Sequence, residues 1–178
     1  MNEKINFANP YDAFASNASL EEEGIWESLG MFEWRLARSG FTMSSGGNKR
    51  FAKIYSKHFA RIPKGLKKDT KEKVLRELNC RVLAEACITD GRVYNPDYDP
   101  EKGNEEFYEN SLLVEAVDDD GEPILGQDGL PQFDVVKFDH NIVADILIKY
   151  PNLYERCLSV TELMSNYRDQ EKEDILGN

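Results

Sequence analysis

The stretch Phe32-Glu33-Trp34-Arg35-Leu36-Ala37-Arg38-Ser39-Gly40 decides how this chain is read. Phe32, Trp34 and Leu36 alternate with Glu33, Arg35 and Ala37, the period-two pattern of a half-buried strand. Leu36-Ala37-Arg38 also has good helix propensity, so the expectation is a short extended or helical lead-in. Residues 39–47 follow as an expected loop, because two glycine sites and three serines disfavour regular structure.

Working toward the C-terminus, Gly46-Gly47-Asn48-Lys49-Arg50-Phe51-Ala52-Lys53 opens the clearest helix, 48–62. Asn48 suits its N-cap, and Phe51, Ile54, Tyr55, Phe59 and Ile62 make an apolar stripe. Arg50, Lys53, Lys57 and Arg61 recur at three or four residues on another face, and Pro63 and Gly65 end the helix. A second helix is expected over 69–88, with Asp69 as cap and Glu72 as the acidic member of a capping-box-like pair. Val74, Leu75, Leu78, Val82 and Ala86 form its buried face, and Asp90-Gly91 closes it. The two helices would pack their apolar stripes together as a hairpin.

The chain has 178 residues and a formal net charge of -11, and the charge is unevenly placed. Between Arg35 and Arg76 stand 13 Lys/Arg against two acids, Asp69 and Glu72, a net of +11. The remainder holds 9 basic and 31 acidic residues, a net of -22. Such a dipolar chain either steers a charged partner, docks on itself, or screens its own opposite faces. Cys80, Cys87 and Cys157 are odd in number and lack CxxC spacing, as free buried thiols in a reducing cytosol would be. The first residues lack an apolar signal core and no apolar run approaches membrane-spanning length, so a soluble intracellular protein is expected.

Toward the N-terminus, residues 1–19 read as an irregular arm with Phe7, Tyr11 and Phe14 as anchors, then a short helix capped at Ser19. Asn95-Pro96-Asp97-Tyr98-Asp99-Pro100 is a turn-rich linker. Leu112-Leu113-Val114-Glu115-Ala116-Val117 and Phe133-Asp134-Val135-Val136-Lys137-Phe138 read as short strands around Asp120-Gly121 and Asp128-Gly129 turns. Asp139 caps a helix with Ile142, Val143, Ile146 and Leu147, and Pro151 opens another with Leu153, Tyr154, Cys157 and Leu158. The run 168–174 reads as a solvated charged tail.

Trp34-Arg35-Leu36-Ala37-Arg38 with Gly46-Gly47-Asn48-Lys49-Arg50-Phe51 resembles a pattern in the tail assembly chaperones of long-tailed bacteriophages. There, an F-x-(I/W)-R-L-A-R-x-G-G-x-N-x-x-F run leads into a basic helix. Asp118-Asp119-Asp120-Gly121-Glu122-Pro123 resembles the family's D-x-D-G-x-P insertion, and Tyr150-Pro151 with Leu153-Tyr154 and Cys157 resembles its "Y-P, L-Y-x-x-(C/I)" helices. The resemblance covers 32–88 well and 118–158 more loosely; Phe41 to Ser45, the linker 92–110 and the acidic N-terminal arm depart from it.

The resemblance implies a non-enzymatic helper in the host cytoplasm that binds the tape measure protein, keeps it soluble and recruits tail tube subunits. Its contact residues would be Trp34, Arg35, Arg38, Lys49, Arg50, Phe51, Lys53 and Lys57. The expected fold is mainly α: a small helical domain built on a helical hairpin, with a short β-hairpin or strand-rich insertion and flexible termini. The expected division is an N-terminal arm, partly disordered (1–30), a basic helical hairpin (31–91), a linker and β-hairpin-like insertion (92–138), and C-terminal helices with a charged tail (139–178). Self-association is a further partner class, and no membrane partner is expected.

No constellation for catalysis emerges, and no cofactor or metal is expected. The two histidines, His58 and His140, fit structural positions on helices, and no HxxxH or CxxC pair suggests zinc. The Asp118-Asp119-Asp120-Gly121 cluster fails as a calcium loop, with Ala116 at its first position and Gln127 at its twelfth. Gly40 and Gly46 are wrongly spaced for a phosphate loop, and Asn48 precedes Lys49. The runner-up function is a structural virion or nucleic-acid-associated protein using the basic helix 48–62, with phosphate contacts and aromatic stacking supplying affinity. The overall acidity opposes it.

Overall fold

The computed structural model describes residues 18–40, 48–60, 62–163 and 167. The expected anchors Phe7, Tyr11 and Phe14, most of the glycine-serine loop, Arg61 and the charged tail lie outside the described residues. Along the chain come α1 (Ala18–Glu23), β1 (Ile25–Ser28), β2 (Phe32–Leu36), α2 (Lys49–Phe59), α3 (Lys68–Ala86) and β3 (Ile88–Tyr94). They are followed by β4 (Phe107–Glu109), β5 (Ser111–Glu115), β6 (Phe133–Lys137), α4 (His140–Lys149) and α5 (Pro151–Glu162).

The chain is an α/β protein, which overturns the mainly α expectation. Among the described residues, β1-β2-β3-β4 form one antiparallel sheet and β5-β6 a second. The period-two alternation of 32–36 is the decisive strand: Phe32, Trp34 and Leu36 face the core opposite Val93, Gly91 and Ile88. Glu33 and Arg35 stand on the other face opposite Arg92 and Asp90. The helical alternative loses because the backbone after Leu36 is held in extended pairings. Ala37 N donates to Cys87 O (2.6 Å), Arg38 N to Glu21 O (2.9 Å) and Ser39 N to Thr161 O (3.0 Å).

β3 is the second correction. Asp90-Gly91, expected to stop a helix reaching 88, instead lies inside a strand that pairs with β2 and β4. Helix α3 ends at Ala86, and β-branched Ile88, Thr89 and Val93 continue as strand. Ladder pairing and burial here override the local stop signal. Gly91 is needed for close approach: a Cβ there would lie 2.7 Å from the Ser111 carbonyl oxygen. The outward side of the sheet carries a charged and aromatic ladder. Arg92 donates to Glu33 (2.8 and 2.6 Å) and stacks between Trp26 (4.3 Å) and Phe107 (4.1 Å).

The helical hairpin forms from α2 and α3, with Phe51, Ile54, Tyr55 and Phe59 packed on the core. Asn48 caps α2 through Arg50 N (3.1 Å), and its amide also donates to Ala86 O (2.7 Å), tying the start of α2 to the end of α3. Asp69 does not cap α3; the helix starts one residue earlier after Lys67, which makes no side-chain cap bond. Asp69 lies in the first turn, where a carboxylate still complements the helix dipole. Asp139 caps α4 through Asn141 N (2.7 Å) and Ile142 N, and Pro151 opens α5. Residues 18–30, expected within a partly disordered arm, hold α1 and β1.

Between β5 and β6 the chain folds into two small turns, bridged Val117 to Pro123 and Leu125 to Pro131. Three backbone bonds close their base as a ring: Ala116 N to Gln132 O, Ile124 N to Ala116 O and Gln132 N to Ile124 O. Asp118 and Asp128 carboxylates accept backbone N–H bonds within these turns, satisfying groups that no ladder reaches. The core joins Trp34, Leu36, Ile88, Leu112, Val143, Leu147 and Cys157, so sheet, hairpin and C-terminal helices share one hydrophobic centre.

Candidate partner-binding site

The structure separates the contact residues read from the sequence into two groups. Trp34 is 1% exposed in the core and offers no surface. Arg35 reaches Glu23 (3.3 Å) and the Gly24 carbonyl (3.3 Å), and Arg38 is buried against Glu21. The two arginines fasten β2 and the residues after it to α1. Lys49, Arg50, Lys53 and Lys57 remain on α2, with Phe51 half-buried below them. Lys57 bridges Glu85 (2.8 Å), while Lys49 and Lys53 are exposed. Arg50 extends toward the Ala86 carbonyl (3.5 Å). Part of the charge asymmetry is thus screened within the fold, where Arg35, Arg38 and Lys57 of the basic stretch pair with Glu23, Glu21 and Glu85.

The two histidines border one polar depression with Lys57, Arg81 and Glu85. His58 Nε2 lies 2.7 Å from Glu85, and the hydrogen bond from Lys57, followed by that from His58, holds the Glu85 carboxyl below the usual glutamate value. Among the described residues no group of three His, Cys, Asp or Glu side chains is placed to hold a metal ion. The three cysteines are free and buried, and burial pushes the Cys157 thiol up to about 12. No described helix is long and apolar enough to cross a membrane.

The surface that sequence reading missed is an open, mostly hydrocarbon groove of about 640 Å³ between the β5–β6 hairpin and α4. Leu113, Val114, Glu115 and Val117 line one side, joined by Phe133, the register partner of Glu115. Ile142, Ile146 and Lys149 recur at helical spacing along the other. Leu29, Phe32, Tyr150 and Leu153 close its end. Val117 (52%), Phe133 (51%) and Tyr150 (42%) are large apolar groups that remain half exposed there. The groove's polar groups largely satisfy one another, since Lys149 bridges Glu115.

A signal for this site was present. Leu112-Leu113-Val114 and Val135-Val136 are consecutive apolar residues, which gives a strand two apolar faces. Leu112 is fully buried in the core, so the opposite face, with Leu113, Val135 and Phe133, is left apolar and outward. Comparison with family models, with curated proteins and with solved structures finds no match.

Proposed function

We propose that this chain is a tail assembly chaperone of a long-tailed bacteriophage, which binds the tape measure protein in the host cytoplasm, keeps it soluble and assists tail tube assembly. The observation that carries the reading is the apolar groove with Val117, Phe133 and Tyr150 half exposed, a surface that an apolar segment of a client can cover. The Trp34-Arg35-Leu36-Ala37-Arg38 and Gly46-Gly47-Asn48-Lys49-Arg50-Phe51 runs supply the family resemblance. The abundant acidic surface would keep a complex with an apolar client in solution.

Co-expression with the long, tape-measure-like protein of the same genome tests this. The expected outcome is rescue of the client into the soluble fraction and its co-purification with the chain. A client whose solubility is unchanged, with no complex recovered, overturns the reading. A second reading, a nucleic-acid-associated protein, is favoured by Lys49, Arg50 and Lys53 on the outer side of α2. Salt-dependent DNA binding that charge reversal at Lys49 and Lys53 abolishes would support it.

A further inference from the structure

We infer that the groove between the β5–β6 hairpin and α4 receives an amphipathic α-helix of the client, with an apolar stripe flanked by lysine or arginine. This rests on the chaperone reading and names the place and kind of segment it would bind. One wall of the groove is itself a helix face. Val143, Ala144 and Leu147 are the buried residues of α4, which packs chiefly on α3, while Ile142 and Ile146 line the groove. An incoming helix would pack beside α4 through anchors at i, i+3 or i+4 and i+7.

Charge sets the flanks of that helix. Residues 115–134 contain seven carboxylates and no Lys or Arg, and an acidic turn begins one residue after Val117. Asp145 at the groove has a side chain 70% exposed and pairs with Arg81 at 3.8 Å. Lys149, the groove's own cation, is held by Glu115. The hairpin end of the groove, where Asp118 and Asp134 adjoin the lining residues Val117 and Phe133, is therefore rich in carboxylates, and a basic flank is complementary there.

Two other occupants fit less well. A second copy offering its basic, amphipathic α2 would have no apolar stripe to insert, because Phe51, Ile54, Tyr55 and Phe59 are packed against its own core, and one offering the same groove would set like carboxylates against each other. A small polar ligand would need fixed polar groups to orient it, whereas Glu115 and Lys149 are engaged with each other.

The test uses overlapping synthetic peptides of about 20 residues, long enough to span roughly 30 Å as helices, drawn from the tape-measure-like protein of the same genome. They are titrated into the full chain, its Phe133→Asp variant and its Asp145→Lys variant, by fluorescence anisotropy and circular dichroism. At least one peptide is expected to bind and gain helicity. Phe133→Asp is expected to weaken binding about tenfold or more. Asp145→Lys should weaken it at low salt, with the effect fading near 1 M salt. Phe133 is half exposed, so its variant should retain the wild-type melting curve; Val117→Ser is a second variant should it not.

Equal binding by wild type and the groove variants overturns the inference. So does binding without helical gain, which would indicate an added strand on β6, or a groove-dependent self-association that peptides do not disturb. If co-expression rescues the client and every groove variant does so equally, the inference fails alone. If no client protein or peptide binds at all, the chaperone reading fails with it.

Discussion

Replacing Glu21 by alanine should be among the most damaging single changes to this fold. Glu21 is fully buried, and the guanidinium of Arg38 that it holds has a side chain only 10% exposed. The backbone repeats the connection, with Arg38 N donating to Glu21 O at 2.9 Å. Removing the carboxylate leaves a positive charge without a counter-charge in a region of low dielectric, a loss of about 3–5 kcal/mol. At about 2–4 °C per kcal/mol for a chain of this size, the melting temperature should fall by roughly 6–20 °C. Urea unfolding should show a lower midpoint with an unchanged slope. Adding Arg38→Leu to Glu21→Ala should restore most of the loss, because two apolar groups can occupy a buried ion-pair site without the desolvation penalty. A Glu21→Ala protein within about 0.5 kcal/mol of wild type would refute the argument. So would a double variant no better than the sum of the single ones. The same reasoning makes Arg38→Glu weaken client binding by unfolding the chain rather than by removing a contact.

Trp34→Ala should cost about 3–5 kcal/mol by opening a cavity at the centre of the β2 face, and calorimetry that finds no loss would return Trp34 to the surface. Gly91→Ala should destabilise by about 1–3 kcal/mol, because its Cβ would meet the Ser111 carbonyl at 2.7 Å; a neutral result in chemical unfolding would mean that β3 and β5 are spaced more widely. Lys57, then His58, hold the Glu85 carboxyl below its ordinary value of 4.5, so the stability from this link is present above that pH and is lost as pH falls through the lowered folded value. Glu85→Gln should therefore flatten the acid limb of a stability-versus-pH curve, and an equally steep limb in the variant would contradict the link.

Local signals were legible wherever neighbours in the chain supply the partner. Asn48 and Asp139 cap α2 and α4 with their own side chains, and Pro151 starts α5 at the position where a missing N–H does no harm. The β5–β6 strands also emerged from their apolar runs and from the Asp120-Gly121 and Asp128-Gly129 turns between them. The basic stripe of α2 was equally visible, as was the alternation from Phe32 to Leu36.

Tertiary structure decided what those signals meant. β2 pairs locally with β1, but on its other edge Phe32, Trp34 and Leu36 find Val93, Gly91 and Ile88 more than fifty residues away, so no local pattern could see past Asp90-Gly91 to β3. Arg38 looked like a contact residue because charge alone does not reveal that Glu21 folds over it. The groove likewise exists only because the fold buries Leu112 in the common core and brings Leu113, Val114 and Val117 together with Ile142 and Ile146 of α4. Sequence by itself determined where α2 to α5 lie, the Asn48 and Asp139 caps and the tight turns, which depend on interactions within a few residues. Only the folded chain determined which strands pair, which charges are buried and which apolar side chains remain open to a partner, because burial is a property of distant segments brought together.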